Sequence, residues 1–263
     1  MFNAAESGLL IEERRRRICE LLRAEGRVMV EALATRFGTS QVTIRADLSA
    51  LESAGALTRT HGGAIRADEP DADEPLGVKQ LQHHAEKVRI AQEAVSLIRN
   101  GETIILDSGT TTAEIARALR KTELTSINVI TNALNVAALL MDVPAVRLIM
   151  PGGILRRESN SRSGPMAVAA LANLQADRLY LGADGLHADI GVMTPHLQEA
   201  ELNAKMIRIS QQVVVVADSS KLIRRNISLI AKTEQIHMLI TDRAAPPEAV
   251  DALQQRGVEV RLV

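Results

Sequence analysis

The hexapeptide Asp107-Ser108-Gly109-Thr110-Thr111-Thr112 follows the apolar run Thr103-Ile104-Ile105-Leu106 and precedes a helical stretch, Ala113–Leu119. A strand-to-helix turn of this kind sets hydroxyls beside the free amides that begin a helix. Gly109 lets the backbone turn closely. The combination suits an anion, above all a phosphate. One charge–dipole contact is worth about 0.3–1 kcal/mol, so several must converge to hold a ligand. Ser and Thr also favour ordinary helix caps, which leaves a purely structural role equally open for this loop alone. Four more strand ends carry small, hydroxyl-bearing or polar residues: Thr131-Asn132, Pro151-Gly152-Gly153, Gly182-Ala183-Asp184-Gly185 and Asp218-Ser219-Ser220-Lys221. Five such loops at one sheet edge favour a pocket, because open parallel sheets take ligands beyond the carboxyl ends of their strands.

Other chemistries find no support. The chain has neither a GxxxxGK[ST] phosphate loop nor a GxGxxG strand-to-helix turn. Ser108 and Ser219 lack a GxSxG context, so a nucleophilic hydrolase is not indicated. The six histidines (61, 83, 84, 187, 196 and 237) show no metal-ligand spacing, and Cys19 is the single cysteine. No metal, no cofactor and no disulfide framework are expected. One cysteine also fits a reducing cytoplasm.

The elements that must position the strand-end loops alternate. Helical and strand-like stretches follow one another from residue 78 to 263, and the strands are continuously apolar, as in Val213–Val216. This predicts an α/β fold with a mainly parallel sheet covered on both faces. Ahead of it, residues 10–66 read as a separate small module. A helix over 10–24 stops at Gly26, a second runs from Val30 to Arg36, and Gly38 supplies a turn. Thr39 or Ser40 can cap a third helix over 41–53. Ile44, Leu48 and Leu51 face inward on it, with Gln41, Thr43 and Arg45 outside. Strand-like pieces flank His61-Gly62-Gly63, a hairpin signal. Helix, helix, turn, helix, hairpin is the order of a winged helix-turn-helix.

Charge supports that reading only when it is resolved along the chain. The formal net charge is -1 over 263 residues. Residues 14–66 nevertheless hold ten arginines against five acids, and residues 67–76 hold five acids and no base. The acidic stretch carries Pro70 and Pro75 and almost nothing apolar, which predicts an exposed linker over 67–77. The outer face of the third helix is small enough for a major groove, with Ser40, Gln41, Thr43 and Arg45 as candidate contacts. Arg59 and Arg66 on the wing, and the Arg14–Arg17 run, are expected to meet phosphates, and His61 is a further candidate DNA contact. The chain has no tryptophan, one tyrosine and two phenylalanines, which argues against stacked-aromatic RNA platforms. No apolar run approaches the ~20 residues of a membrane helix. The N-terminal charges fall in the wrong order for a signal peptide.

The run from Thr39 to Ala64, TSQVTIRADLSALESAGALTRTHGGA, resembles the N-terminal module of the DeoR/GlpR family of bacterial transcriptional regulators. Ala46 departs from the pattern, where many members carry a second arginine. DSGTTT, TN..NVA, GG.LRR, LGADG, Glu199/Asn203/Lys205 and DSSK are similar to that family's effector domain, a relative of ribose-5-phosphate isomerase. The resemblance implies that Asp107 to Thr112 cradle phosphate, with Asn132, Gly152, Gly153, Asp184, Glu199 and Lys221 around a sugar. The isomerase signature DGADE stands here as Leu181-Gly182-Ala183-Asp184-Gly185, and Ala204 takes the place of an expected glutamate. Losing such a base removes about 10²–10⁴ in rate, which favours sensing over turnover.

The expectation is therefore a repressor of a carbohydrate operon, with double-stranded operator DNA and a phosphorylated sugar as partners, and not an enzyme. A homo-oligomer, dimer or tetramer, is expected because one recognition helix reads few base pairs. DSGTTT.EIA and GG.LRR lean toward members controlling N-acetylgalactosamine-type amino sugars. The alternative is a sugar-phosphate isomerase with an appended DNA-binding module. An architectural DNA-binding protein would not need the loop constellation.

Overall fold

The computed structural model describes residues 9–53, 57–60, 62–66 and 76–263. The chain divides into two compact units, Met1–Ala72 and Asp73–Val263. His61, positions 67–75 of the expected linker and the side chain of Arg66 lie outside the described residues.

In the first unit, α1 (Ile11–Glu25) ends at Gly26, whose left-handed backbone lets its amide bond the Leu22 carbonyl. β1 (Arg27–Met29) leads without a break into α2 (Val30–Phe37), and Gly38 turns the chain toward α3 (Gln41–Ser53). β2 (Leu57–Thr60) and β3 (Gly63–Arg66) form the hairpin. β1 pairs with β3, so the wing is a three-stranded sheet in the order β1-β3-β2. That strand was not expected. With three residues and only Val28 buried, it has too little alternation to be seen. Ile18, Leu22, Phe37, Ile44, Leu48 and Leu57 fill the core beneath the helices.

The arginine run at 14–17 divides, against the expectation that all four meet phosphates. Arg14 is 8% exposed, and its Nε donates to Asp47 Oδ2 at 2.6 Å. Arg15 Nε donates to the other oxygen of Asp47 at 3.0 Å. Asp47 is itself buried, on the inner side of α3. These two arginines fasten α1 to the third helix, because a buried carboxylate must be paired. Arg16 and Arg17 remain on the surface beside Glu20.

The second unit opens with α4 (Leu76–Leu81) and α5 (His84–Ser96). α4 starts inside the range read as linker and packs on a later helix, so positions 76 and 77 are helical. Strands and helices then alternate: β4 (Thr103–Leu106), α6 (Thr110–Leu119), β5 (Ile127–Thr131), α7 (Leu134–Leu140) and β6 (Val146–Ile149). A hairpin of β7 (Ile154–Arg156) and β8 (Ser161–Ser163) precedes α8 (Pro165–Ala170) and β9 (Ala176–Leu181). β10 (Gly185–His187), β11 (Gly191–Thr194), α9 (Leu197–Arg208), β12 (Ser210–Val216) and β13 (Ser228–Ala231) follow. β14 (Met238–Thr241), α10 (Pro247–Gln255) and β15 (Glu259–Leu262) end the chain.

Seven strands form one sheet, β15-β14-β12-β9-β4-β5-β6, and every neighbouring pair is parallel. Its strands alternate between two buried clusters. Ile104 and Leu106 pack with α5, α6 and α7 on one face, and Ile105 packs with α8, α9 and α10 on the other. Tyr180 belongs to the first face; it is fully buried, and its hydroxyl donates to the Ala94 carbonyl at 2.9 Å. Burial pushes that hydroxyl up to about 12. The sheet grows outward in two directions from the β4–β9 pair, which makes the crevice beyond those two strands its topological switch point.

Replacing Asp47 by alanine leaves buried Arg14 without its carboxylate. The variant should lose about 3 kcal/mol of stability in denaturant unfolding. A loss below ~1 kcal/mol, the range of an exposed pair, would show that the contact does not fasten the helices.

Candidate functional site

A cleft of about 760 Å³, its open mouth included, lies at the switch point. Asp107, Ser108, Gly109, Thr110 and Thr111 from the β4–α6 turn line it, with Asp184 after β9, Glu199 on α9 and Lys221 after β12. The first amides of α6 have no intrahelical partner, and the N-cap, Gly109, offers no side chain to take them. These amides, the dipole of a ten-residue helix and the Thr110 and Ser108 hydroxyls make one wall receptive to an anion.

Asp107 holds this wall to its neighbour. Its buried carboxylate accepts from the Gly109 amide at 3.0 Å and from the Gly182 amide at 2.8 Å, one on each side. A methyl group on Gly109 or Gly182 would come within 3.2–3.3 Å of those carboxylate oxygens, so a larger residue in either loop would press on the wedge. Burial raises the Asp107 carboxyl to about 6, against the opposing pull of the two amides and Thr112.

Two lysines bring positive charge to the same cleft. Lys221 ends a short 3₁₀ turn, Ser219–Lys221, capped by Asp218, whose carboxylate accepts from the Ser220 amide at 3.2 Å. Lys87 on α5 is 3% exposed and donates to the carbonyls of Lys79 at 2.5 Å and Gln82 at 2.7 Å. Desolvation lowers the pKa of both. An anion beside them would favour their charged forms. On the opposite side, Glu199 Oε1 accepts from Arg156 at 3.2 Å and from Ser161 at 3.3 Å. Asp184 accepts from Lys79 at 3.0 Å and from Thr194 at 3.1 Å. Asn203 lies one turn after Glu199 and also lines the cleft. Among the described residues, no group of three or more His, Cys, Asp or Glu could hold a metal ion.

Four residues expected at the site do not line it. Thr112 is fully buried and spends its hydroxyl on the Asp107 and Gly109 carbonyls. Asn132 is buried and donates to the Arg162 carbonyl, joining the end of β5 to the β7–β8 hairpin. Gly152 and Gly153 also stand outside the cleft. Gly153 has a φ of 122°, and a methyl group there would reach 2.6 Å from the Ser163 carbonyl oxygen. That glycine serves a close backbone approach. The residue of the GG.LRR segment that reaches the cleft is Arg156.

Lys79, Lys87 and Arg156 were not expected. A lone lysine in an amphipathic helix reads as a solvated charge, and only the fold shows Lys87 to be buried. In the first unit, Gln41, Arg45 and Arg59 are exposed. Ser40 Oγ accepts the Thr43 amide at 3.1 Å and so caps α3. Arg45 donates to Gln41 on the same flank at 3.3 Å, and Arg59 donates to Ser49 at 2.7 Å.

Asp107 keeps its proton to a higher pH when folded, about 6, than the ordinary 3.8 of an exposed aspartate. The folded chain therefore binds the extra proton between those values. The matching stability is present below about 4 and lost as pH rises through 6. Unfolding free energies from pH 4 to 7 should decline less steeply in Asp107→Asn than in the wild type. Identical slopes would remove Asp107 as the source.

Two family descriptions match the chain. "DeoR-like helix-turn-helix domain" covers residues 14–69, and "DeoR C terminal sensor domain" covers residues 82–243. A chain from Escherichia coli O157:H7, assigned by name as an aga operon transcriptional repressor, is 42% identical over 95% of this chain and 93% of its own length. The transcriptional regulator GlpR of Haloferax volcanii is 34% identical over 96% of this chain and 98% of its own. The repressor GlcR of Bacillus subtilis is 32% identical over 95% of each. Among solved structures, ribose 5-phosphate isomerase A of Methanocaldococcus jannaschii aligns with a TM-score of 0.39 and 22% identity, over 54% of this chain and 56% of that one. With a helix-turn-helix in one unit and a sensor domain in the other, the chain belongs to the DeoR family of transcriptional regulators.

Proposed function

We propose that this regulator represses a carbohydrate operon and releases it when a phosphorylated sugar occupies the switch-point cleft. The observation that carries the reading is the convergence of the α6 N-terminus with Lys87 and Lys221 in one cleft. The phosphate would sit against the α6 amides, and Asp184, Glu199, Asn203 and Thr194 would meet the sugar's hydroxyls. Similarity to an aga operon repressor supports an amino-sugar phosphate as the first effector to try. In the first unit, Gln41 and Arg45 would reach base edges, with Arg59, His61 and Arg66 on phosphates. Reading a two-fold operator calls for a homo-oligomer, acting in the cytoplasm. Among the described residues no helix is long and apolar enough to cross a membrane.

Binding suits this cleft better than turnover. Asp184 accepts from Thr194, and Glu199 accepts from Arg156 and Ser161, so both carboxylates are held by hydrogen bonds from the protein. A general acid or base would need to hold and pass a proton at the sugar. The second reading, an isomerase with an appended DNA-binding module, rests on Asp184, Glu199 and Lys221 sharing one cleft.

Incubating the full chain with ribose, hexose and amino-sugar phosphates separates the two. Thermal stabilisation without turnover is the expected result, and isomerised product would overturn the sensor reading. A hundredfold release from operator DNA corresponds to about 2.7 kcal/mol of coupling between the sites. Arg45→Ala should weaken operator affinity by about 1–3 kcal/mol in a titration at fixed salt. An unchanged affinity would refute Arg45 as a base-reading residue.

A further inference from the structure

We propose that α4 is a strap across the cleft, which an entering phosphorylated sugar draws tight by taking Lys79 from Asp184. The proposal rests on the sensor reading above and adds the element that responds. α4 has six residues, too few to be stable on its own, so its anchors decide whether it forms. Several hydrogen-bonded anchors belong to the cleft. The Leu76 amide donates to the Glu158 carbonyl at 3.3 Å, and Lys79 Nζ donates to Asp184 at 3.0 Å. Lys87 Nζ, from the cleft side, donates to the carbonyls of Lys79 and Gln82 at the helix's far end. Leu76, Lys79, Lys87, Glu158 and Asp184 all line the same space.

The exchange of partners follows from charge. A sugar phosphate carries nearly two negative charges at neutral pH and three acceptor oxygens. Lys79, Lys87 and Lys221 share the cleft, and a phosphate between them relieves their mutual repulsion. Asp184 keeps its bond from Thr194, and a sugar hydroxyl can take the position that Lys79 leaves. Lys87 then holds the ligand and the end of α4 with one ammonium group. His83, between α4 and α5, has a φ of 50°, uncommon for a residue other than glycine, and marks the joint on which the strap turns. α4 is also the first element after the residues that lead from the DNA-reading unit.

Hydrogen exchange of the full chain, with and without ribose 5-phosphate and N-acetylgalactosamine 6-phosphate, tests this. A sugar phosphate that slows exchange at 108–113 should also slow residues 76–83, by about fivefold or more. Lys79→Gln should bind that phosphate about tenfold more weakly and lose the slowing at 76–83 while keeping it at 108–113; a charge-assisted contact is worth this much. Lys79→Arg should restore both. Slowing at 108–113 with none at 76–83 would overturn the strap and leave the sensor reading standing. Wild-type slowing at 76–83 in Lys79→Gln would overturn the role of Lys79. No slowing at either segment with any phosphate would overturn the strap and the sensor reading together.

Discussion

The carboxylate of Asp107 stands between two backbone amides that belong to different strand ends, Gly109 after β4 and Gly182 after β9. Those strands are neighbours at the one place where the sheet grows in both directions. A parallel sheet leaves a crevice there, because its crossover helices depart to opposite faces. Without a crosslink the two loops could splay and the anion wall would lose its opposing side. Asp107 supplies that link from inside the core, and its cost is a buried charge. The cost is met partly by the two amides and partly by the carboxyl's readiness to hold a proton near pH 6.

How far the site could be read in the sequence depended on whether its chemistry was local. Ser108, Thr110 and Thr111 announce themselves because a strand end, a glycine and a helix start occur within a few residues. Lys221 is visible for the same reason beside Asp218 and two serines. Thr112 and Gly153 are as conspicuous in the sequence, yet they serve the backbone, one as a cap and the other as a close approach. Lys87 and Lys79 belong to the cleft through tertiary packing, which no short motif records, and only the fold shows that Arg156 is the residue of the GG.LRR segment to reach it. Among the elements, the seven strands of the parallel sheet stand out as apolar runs. β1, the β7–β8 hairpin and the small β10-β11-β13 sheet do not, because their three or four residues include glycine, serine, arginine or histidine and do not form an apolar run between helices.

Arginine shows the same division between composition and place. Arg14 and Arg45 count equally toward the basic character of residues 14–66. Arg14 is closed into the core by Asp47, while Arg45 stays exposed on α3 beside Gln41. The first holds α1 to the third helix and the second is free to meet a partner outside the molecule. The positive charge offered to DNA is thus smaller than the count of arginines suggests.

Tyr180 lies between the sheet and α5, with its hydroxyl bonded to Ala94. It is the only tyrosine, and the chain has no tryptophan. Intrinsic tyrosine emission therefore comes from one ring in the unit Asp73–Val263, and melting of the helix-turn-helix unit is silent in that signal. Far-ultraviolet dichroism, to which both units contribute helix, would register both events. The difference between the two curves separates the stability of the DNA-reading unit from that of the sensor without any added label.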